Sequence, residues 1–185
     1  PPVLYTTREV PITPQQTKYY NQLKKDAYME ASSEEVTVVN AASMLTKLLQ
    51  VSAGSVYTDT KQVIEFDISN RLTALKEIIQ EASHKVIVFC PFRNSIKTLI
   101  TELTKLKITN DSITGDVSMT KRSQIFKNFQ EKKDPHVLII QPQAASHGVT
   151  LHAANVVVFW SPVMSVETYI QCCARMDRAG QKNPM

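Results

Sequence analysis

The chain has 185 residues and a mass of 20.8 kDa, enough for one sizeable core and short for two complete domains. Hydrophobic residues make up 43% and charged residues 21%, the balance of an ordinary globular chain, which excludes a disordered tail and a fibrous repeat. The net charge of +4 and a pI near 9.0 invite a polyanionic partner without naming one.

No apolar run approaches the roughly 18 to 20 residues of a membrane helix, and Pro1-Pro2-Val3 opens without the charged and apolar regions of a secretory signal. Cys90, Cys172 and Cys173 lack metal-ligand spacing, and two of them are adjacent, so neither a zinc site nor a disulfide framework is expected. Reduced thiols and the lack of a membrane partner fit a soluble, cytoplasmic protein.

In chain order, the first 60 residues read as helical. Thr13-Pro14-Gln15-Gln16 supplies an N-cap threonine, a proline at the first helical position and a glutamine at the capping-box position. A second helix is expected over about 41–49, closed by Gly54, and Val63-Ile64-Glu65-Phe66 reads as a short strand. Ser69-Asn70 caps a third helix with Leu72, Leu75, Ile78 and Ile79 on one stripe.

After Ser83 the pattern changes. Lys85-Val86-Ile87-Val88-Phe89-Cys90 is apolar on both faces, as a buried parallel strand requires. A helix over about 94–106, a strand around 107–113 and a helix from Ser118 or Thr120 to Gln130 follow, the last burying Ile125, Phe126 and Phe129. Two more buried strands, 136–140 and 155–160, precede a last helix starting at Ser165 and running to about Arg175. Such alternation means a parallel α/β sheet with helices on both faces. The expected division is a helical segment over 1–60 and an α/β lobe over 61–185.

Ligands of an open parallel sheet sit beyond the carboxyl ends of its strands, so the segments after each apolar run carry the functional information. These are Cys90-Pro91-Phe92-Arg93-Asn94, then Thr114-Gly115-Asp116, then the stretch from Gln141 to Leu151, and finally Ser161-Pro162 with the helix leading to Gln181. Between Pro91 and Lys133 nine basic residues stand against four acidic ones. For Lys121 and Arg122 in this stretch, a solvated helix face and a DNA contact remain level.

These segments, in this order, resemble the second RecA-like lobe of superfamily two helicases and translocases, most closely the Swi/Snf type. The strand 86–89 with its loop resembles motif IV. Ala144-Ala145-Ser146-His147-Gly148-Val149-Thr150-Leu151 resembles motif V, followed by the similar Trp160-Ser161-Pro162, and Gln171 through Gln181 resembles motif VI. Pro1-Pro2 and Val10-Pro11-Ile12-Thr13 resemble the connection between the lobes, and the compact helical insertion suggests a phage or bacterial member. The chain departs from the pattern at Thr150, where asparagine is usual, at Ala174, where glycine is usual, and at Asp177, where histidine is common.

The resemblance implies a RecA-like parallel sheet flanked by helices with an N-terminal helical extension, acting as the C-terminal motor lobe of an ATP-dependent DNA helicase or translocase. It implies Arg175 and Arg178 as arginine fingers toward ATP, because phosphoryl transfer spreads negative charge that a cationic fork stabilises. Their spacing of three puts both on one helical face. It places Gln171, Gly148 and Gln181 near the nucleotide, and Arg93, Asn94, Thr114, Gly115, Ser146, His147 and Thr150 along a nucleic-acid backbone. An exposed helix glutamine at Gln171 and a solvated loop histidine at His147 are the plain alternatives.

The four glycines make no phosphate-cradling loop and no strand ends in an Asp-Glu pair for magnesium, so ATP and Mg2+ are expected mainly on a first lobe of the same polypeptide. The chain is accordingly expected to be a fragment, inactive alone, with double-stranded DNA as partner. Two rival readings stay open: a non-catalytic nucleic-acid-binding or adaptor domain, and a small α/β enzyme built on Cys90.

Overall fold

Thr13 and Gln16 begin the first helix as the capping box predicts. The Thr13 N–H donates to Gln16 Oε1 at 2.9 Å, and the Gln16 N–H returns a bond to Thr13 Oγ1 at 3.4 Å. The computed structural model describes residues 3–33, 38–146, 150–176 and 181, which fall into two compact units. One comprises residues 9–74, and the other combines residues 1–8 with 75–185.

In the first unit, α1 (Pro14–Ser33) and α2 (Val38–Ala53) are followed by an antiparallel pair, β1 (Ser55–Tyr57) and β2 (Val63–Glu65). Its core gathers Val51, Val56 and Phe66, with Tyr19, Tyr20, Leu23 and Ile64 packed against them. The helix expected over 41–49 is longer at both ends, and β1 was not expected at all. The chain reverses at Gly54, whose φ of 111° no side-chain-bearing residue adopts readily. That reversal lets Val56 return to the core beside Val51.

The junction of the units falls inside α3 (Ser69–Glu81), which buries Leu75 and Ile79. The elements β3 (Lys85–Phe89), α4 (Arg93–Lys105), β4 (Asn110–Ile113), α5 (Met119–Glu131), β5 (Val137–Ile140), a 3-10 turn (Pro142–Ser146), β6 (Ala154–Phe159) and α6 (Val166–Cys173) follow. The four strands form one parallel sheet in the order β4-β5-β3-β6. Its core includes Ile87, Phe89, Ile113, Phe129, Leu138 and Ile140. The sheet expected from the alternating pattern is therefore present.

Two boundaries and one burial pattern differ from expectation for local reasons. β4 starts at Asn110 rather than 107, because Lys107 takes a φ of 58° and its N–H bonds back to Thr104 O, finishing the turn after α4. β6 lies at a sheet edge, so its valines are half-buried where full burial was expected. Finally, α6 ends at Cys173 and not near Arg175.

The amino edge of the sheet is held by side chains. Lys85 Nζ donates to Phe129 O (2.6 Å) and Lys132 O (2.5 Å) at the end of α5 and lies 4.9 Å from the Phe129 ring centre. Burial lowers its pKa below the usual lysine value, with Asp134 opposing. A register slip between Lys85 and Val86 against β6 marks the same place. Nearby, Ala153 N–H donates to Gln130 Oε1 (3.0 Å) and Gln181 Nε2 to Ala154 O (3.0 Å).

Candidate nucleic-acid and nucleotide sites

At the carboxyl edge, Phe89 of β3 and Ile113 of β4 both lie opposite Ile140 of β5, so the three following loops leave the sheet side by side. Arg93, the first residue of α4, turns its guanidinium to Asp116 in a two-point ion pair, Nη1 to Oδ2 at 2.8 Å and Nη2 to Oδ1 at 3.0 Å. Both side chains are largely in water. Gly115 is exposed, and its N–H donates to Gln141 Oε1 at 3.1 Å. Asn94 and Thr114 are half-buried beside them.

Arg122 is not on a solvated face. It is 6% exposed, and its guanidinium donates to the carbonyls of Thr114 (3.3 Å), Val117 (3.4 Å) and Ala144 (3.5 Å). The solvated face expected for it fails because the loops after β4 and β5 fold over it. Lys121, its neighbour, is exposed. Sequence reasoning also passed over Asp116 and Gln141 as site residues. The signal available was position alone, since Gln141 directly follows β5 and Asp116 lies three residues past the end of β4.

The second group of residues lies where α6 ends. Ser165 caps this helix by accepting from Thr168 N–H at 3.2 Å, and Gln171 Nε2 donates along it to Glu167 Oε1 at 3.0 Å. The Leu151 N–H donates to Arg175 O at 2.8 Å, stitching the exit of the motif V segment to the start of the motif VI turn. The Arg175 side chain is 6% exposed and Gln181 is 7% exposed. Thr150 is half-buried, and Ser146 ends the 3-10 turn. Gly148, His147 and Arg178 lie outside the described residues.

Cys172 is buried, and that burial, reinforced by Cys173 and opposed by Arg175, pushes its pKa up to about 12. Cys90 is fully buried, with Sγ 3.6 Å from Phe92 O, which leaves a Cys90-based enzyme without an accessible nucleophile. Among the described residues no group of His, Cys, Asp and Glu could hold a metal ion. No helix among them is long and apolar enough to cross a membrane.

The family model described as the helicase conserved C-terminal domain matches residues 70–180. The chain belongs to that family. An uncharacterized ATP-dependent helicase of Mycoplasma genitalium is 26% identical across 98% of this lobe, which spans 18% of that protein's length. The C-terminal domain of the Sulfolobus solfataricus SWI2/SNF2 ATPase superposes with a TM-score of 0.70 at 20% identity, over 86% of this chain and 72% of that one. The core of the same ATPase in complex with double-stranded DNA gives 0.66 at 20% identity, over 82% and 33%. The sheet and its flanking helices are thus those of a RecA-like second lobe, and the Swi/Snf resemblance drawn from the motifs agrees with these neighbours.

Proposed function

We propose that this lobe is the C-terminal half of an ATP-dependent DNA translocase, gripping a phosphate backbone at its carboxyl edge and supplying arginine charge to a nucleotide held by a first lobe. One observation carries the reading: the bond from Leu151 N–H to Arg175 O, within the family match, ties the motif V segment to the motif VI segment. Movement at a nucleotide would thereby reach the loop that continues to the DNA-facing edge.

Arg178 is the direct finger in this reading. Arg175, almost enclosed by the lobe, acts from inside it, where a guanidinium's field is weakly screened. The residues present fit the cationic part of an ATP site, and in this reading Mg2+ and the phosphate cradle belong to the first lobe. Arg93 supplies a cation and Thr114 a hydroxyl to the backbone, contacts that position DNA without reading its sequence. The DNA complex of the SWI2/SNF2 relative supports duplex DNA as the partner.

The test is ATP hydrolysis by the two-lobed protein with and without duplex DNA, for the natural sequence and for Arg178→Ala. Loss of the finger should cut DNA-stimulated turnover by about 10³-fold or more. Undiminished turnover in the variant would remove Arg178 from the site. Absence of turnover in the natural sequence would replace the motor with an adaptor.

A further inference from the structure

Neighbouring parallel strands stand about 4.8 Å apart, so the loops after β4 and β5 leave the sheet as close neighbours, and loops in such places are ordinarily mobile. Each closes on itself: Val117 N–H bonds to Thr114 O at 3.2 Å, and Ala144 N–H to Gln141 O at 2.8 Å. Three further connections cross between them. The Gln141 N–H donates to Ile113 O (2.8 Å), Gln141 Oε1 accepts from Gly115 N–H (3.1 Å), and the Arg122 guanidinium spans from Thr114 and Val117 on one loop to Ala144 on the other.

Burying a guanidinium is costly, and a methionine would fill similar space without that cost. What the guanidinium adds is orientation. The three carbonyl oxygens it binds are engaged by a guanidinium that is itself 6% exposed, so all three are tied to one buried cation. We propose that Arg122 and Gln141 are positioning residues for nucleic-acid binding, locking residues 114–117 onto residues 141–146 so that both loops meet a phosphate backbone as one surface. The proposal rests on the reading of this edge as a phosphate grip.

The experiment measures binding of a fluorescein-labelled DNA duplex by the two-lobed protein over a series of salt concentrations, with melting temperature recorded for every variant. Gln141→Leu and Arg122→Lys should each raise the Kd by about fivefold or more, the scale of one lost hydrogen bond. The slope of log affinity against log salt should stay unchanged in both, because neither residue touches a phosphate. Arg93→Ala, a direct contact, should instead lower that slope by about 0.9.

Unchanged affinity in a folded Gln141→Leu or Arg122→Lys variant would overturn the proposal. So would a lowered slope in Arg122→Gln, which would make Arg122 a phosphate contact. Tighter binding by Gln141→Leu would also overturn it, by showing that the Gly115 N–H is a phosphate donor that Gln141 withholds. Should the Arg122 variants fail to fold, Gln141→Leu decides alone, since Gln141 is a half-buried loop residue. Arg93→Ala and Thr114→Ala without effect on binding would end the phosphate-grip reading itself. If those two weaken binding and Gln141→Leu does not, only the lock fails.

Discussion

Asp116→Asn isolates the ion pair that occupies Arg93. The pair has good geometry, at 2.8 and 3.0 Å, but its side chains are 53% and 70% exposed. At that exposure it is worth at most about 1 kcal/mol. An incoming phosphate must compete with the Asp116 carboxylate for the same guanidinium fork. Removing the carboxylate while keeping the shape should therefore tighten duplex DNA binding by at most about fivefold at low salt. The gain should shrink as salt rises, because these charges are open to screening over about 10 Å at 0.1 M. Fluorescence anisotropy across a salt series reads both quantities. Weaker binding by Asp116→Asn would refute the reasoning, because Asp116 would then be aiming Arg93 at the DNA rather than competing for it.

Gly54→Ala should destabilise residues 9–74 by about 1–3 kcal/mol, because the backbone is left-handed there and the added Cβ would overlap Ile68 Cγ2. A denaturant midpoint equal to that of the natural sequence would contradict this. Cys172 keeps its proton to about pH 12 in the folded chain, whereas an ordinary thiol loses it near 9.0. The folded state thus binds more protons between those values, so the thiol's contribution to stability is complete below pH 9 and is lost as pH rises toward 12. The stability of Cys172→Ala relative to the natural chain should be flat below pH 9 and improve above it, as followed by denaturant melts. The same raised pKa should leave Cys172 unreactive to iodoacetamide at pH 8 until the protein unfolds.

What was legible in the sequence had a local physical cause. Thr13 and Gln16 are three residues apart and complete each other's bonds, so α1 could be read from four letters. The β-branched runs of β3 and β5 have no comfortable place except a sheet interior, and Ile125, Phe126 and Phe129 have the spacing of a buried helical stripe. β1 was illegible because three residues carry too little pattern, and its pairing with β2 depends on packing with Val51 and Phe66.

The same division holds at the site. Arg93 stands in the short segment that follows β3 and was found by that position. The burial of Arg122 depends on carbonyls of the loop just before α5 and of a second loop 22 residues further along, and a carbonyl leaves no mark in the letter of its residue. Arg175 carries the motif, but its enclosure comes from the tertiary fold.

The amino edge of the sheet bears on how the chain folds in time. Every described strand pair of the parallel sheet joins segments separated by a crossover, whereas β1 and β2 are linked by a short turn. The side-chain links at that edge are equally remote: Lys85 to Phe129 spans 44 residues, Gln130 to Ala153 spans 23 and Ala154 to Gln181 spans 27. Loop closure must precede each of these rewards, so the β1–β2 hairpin should form early and the sheet slowly. Gln181 supplies the link furthest along the chain. During synthesis, the amino edge can close fully only after the ribosome has released the motif VI segment.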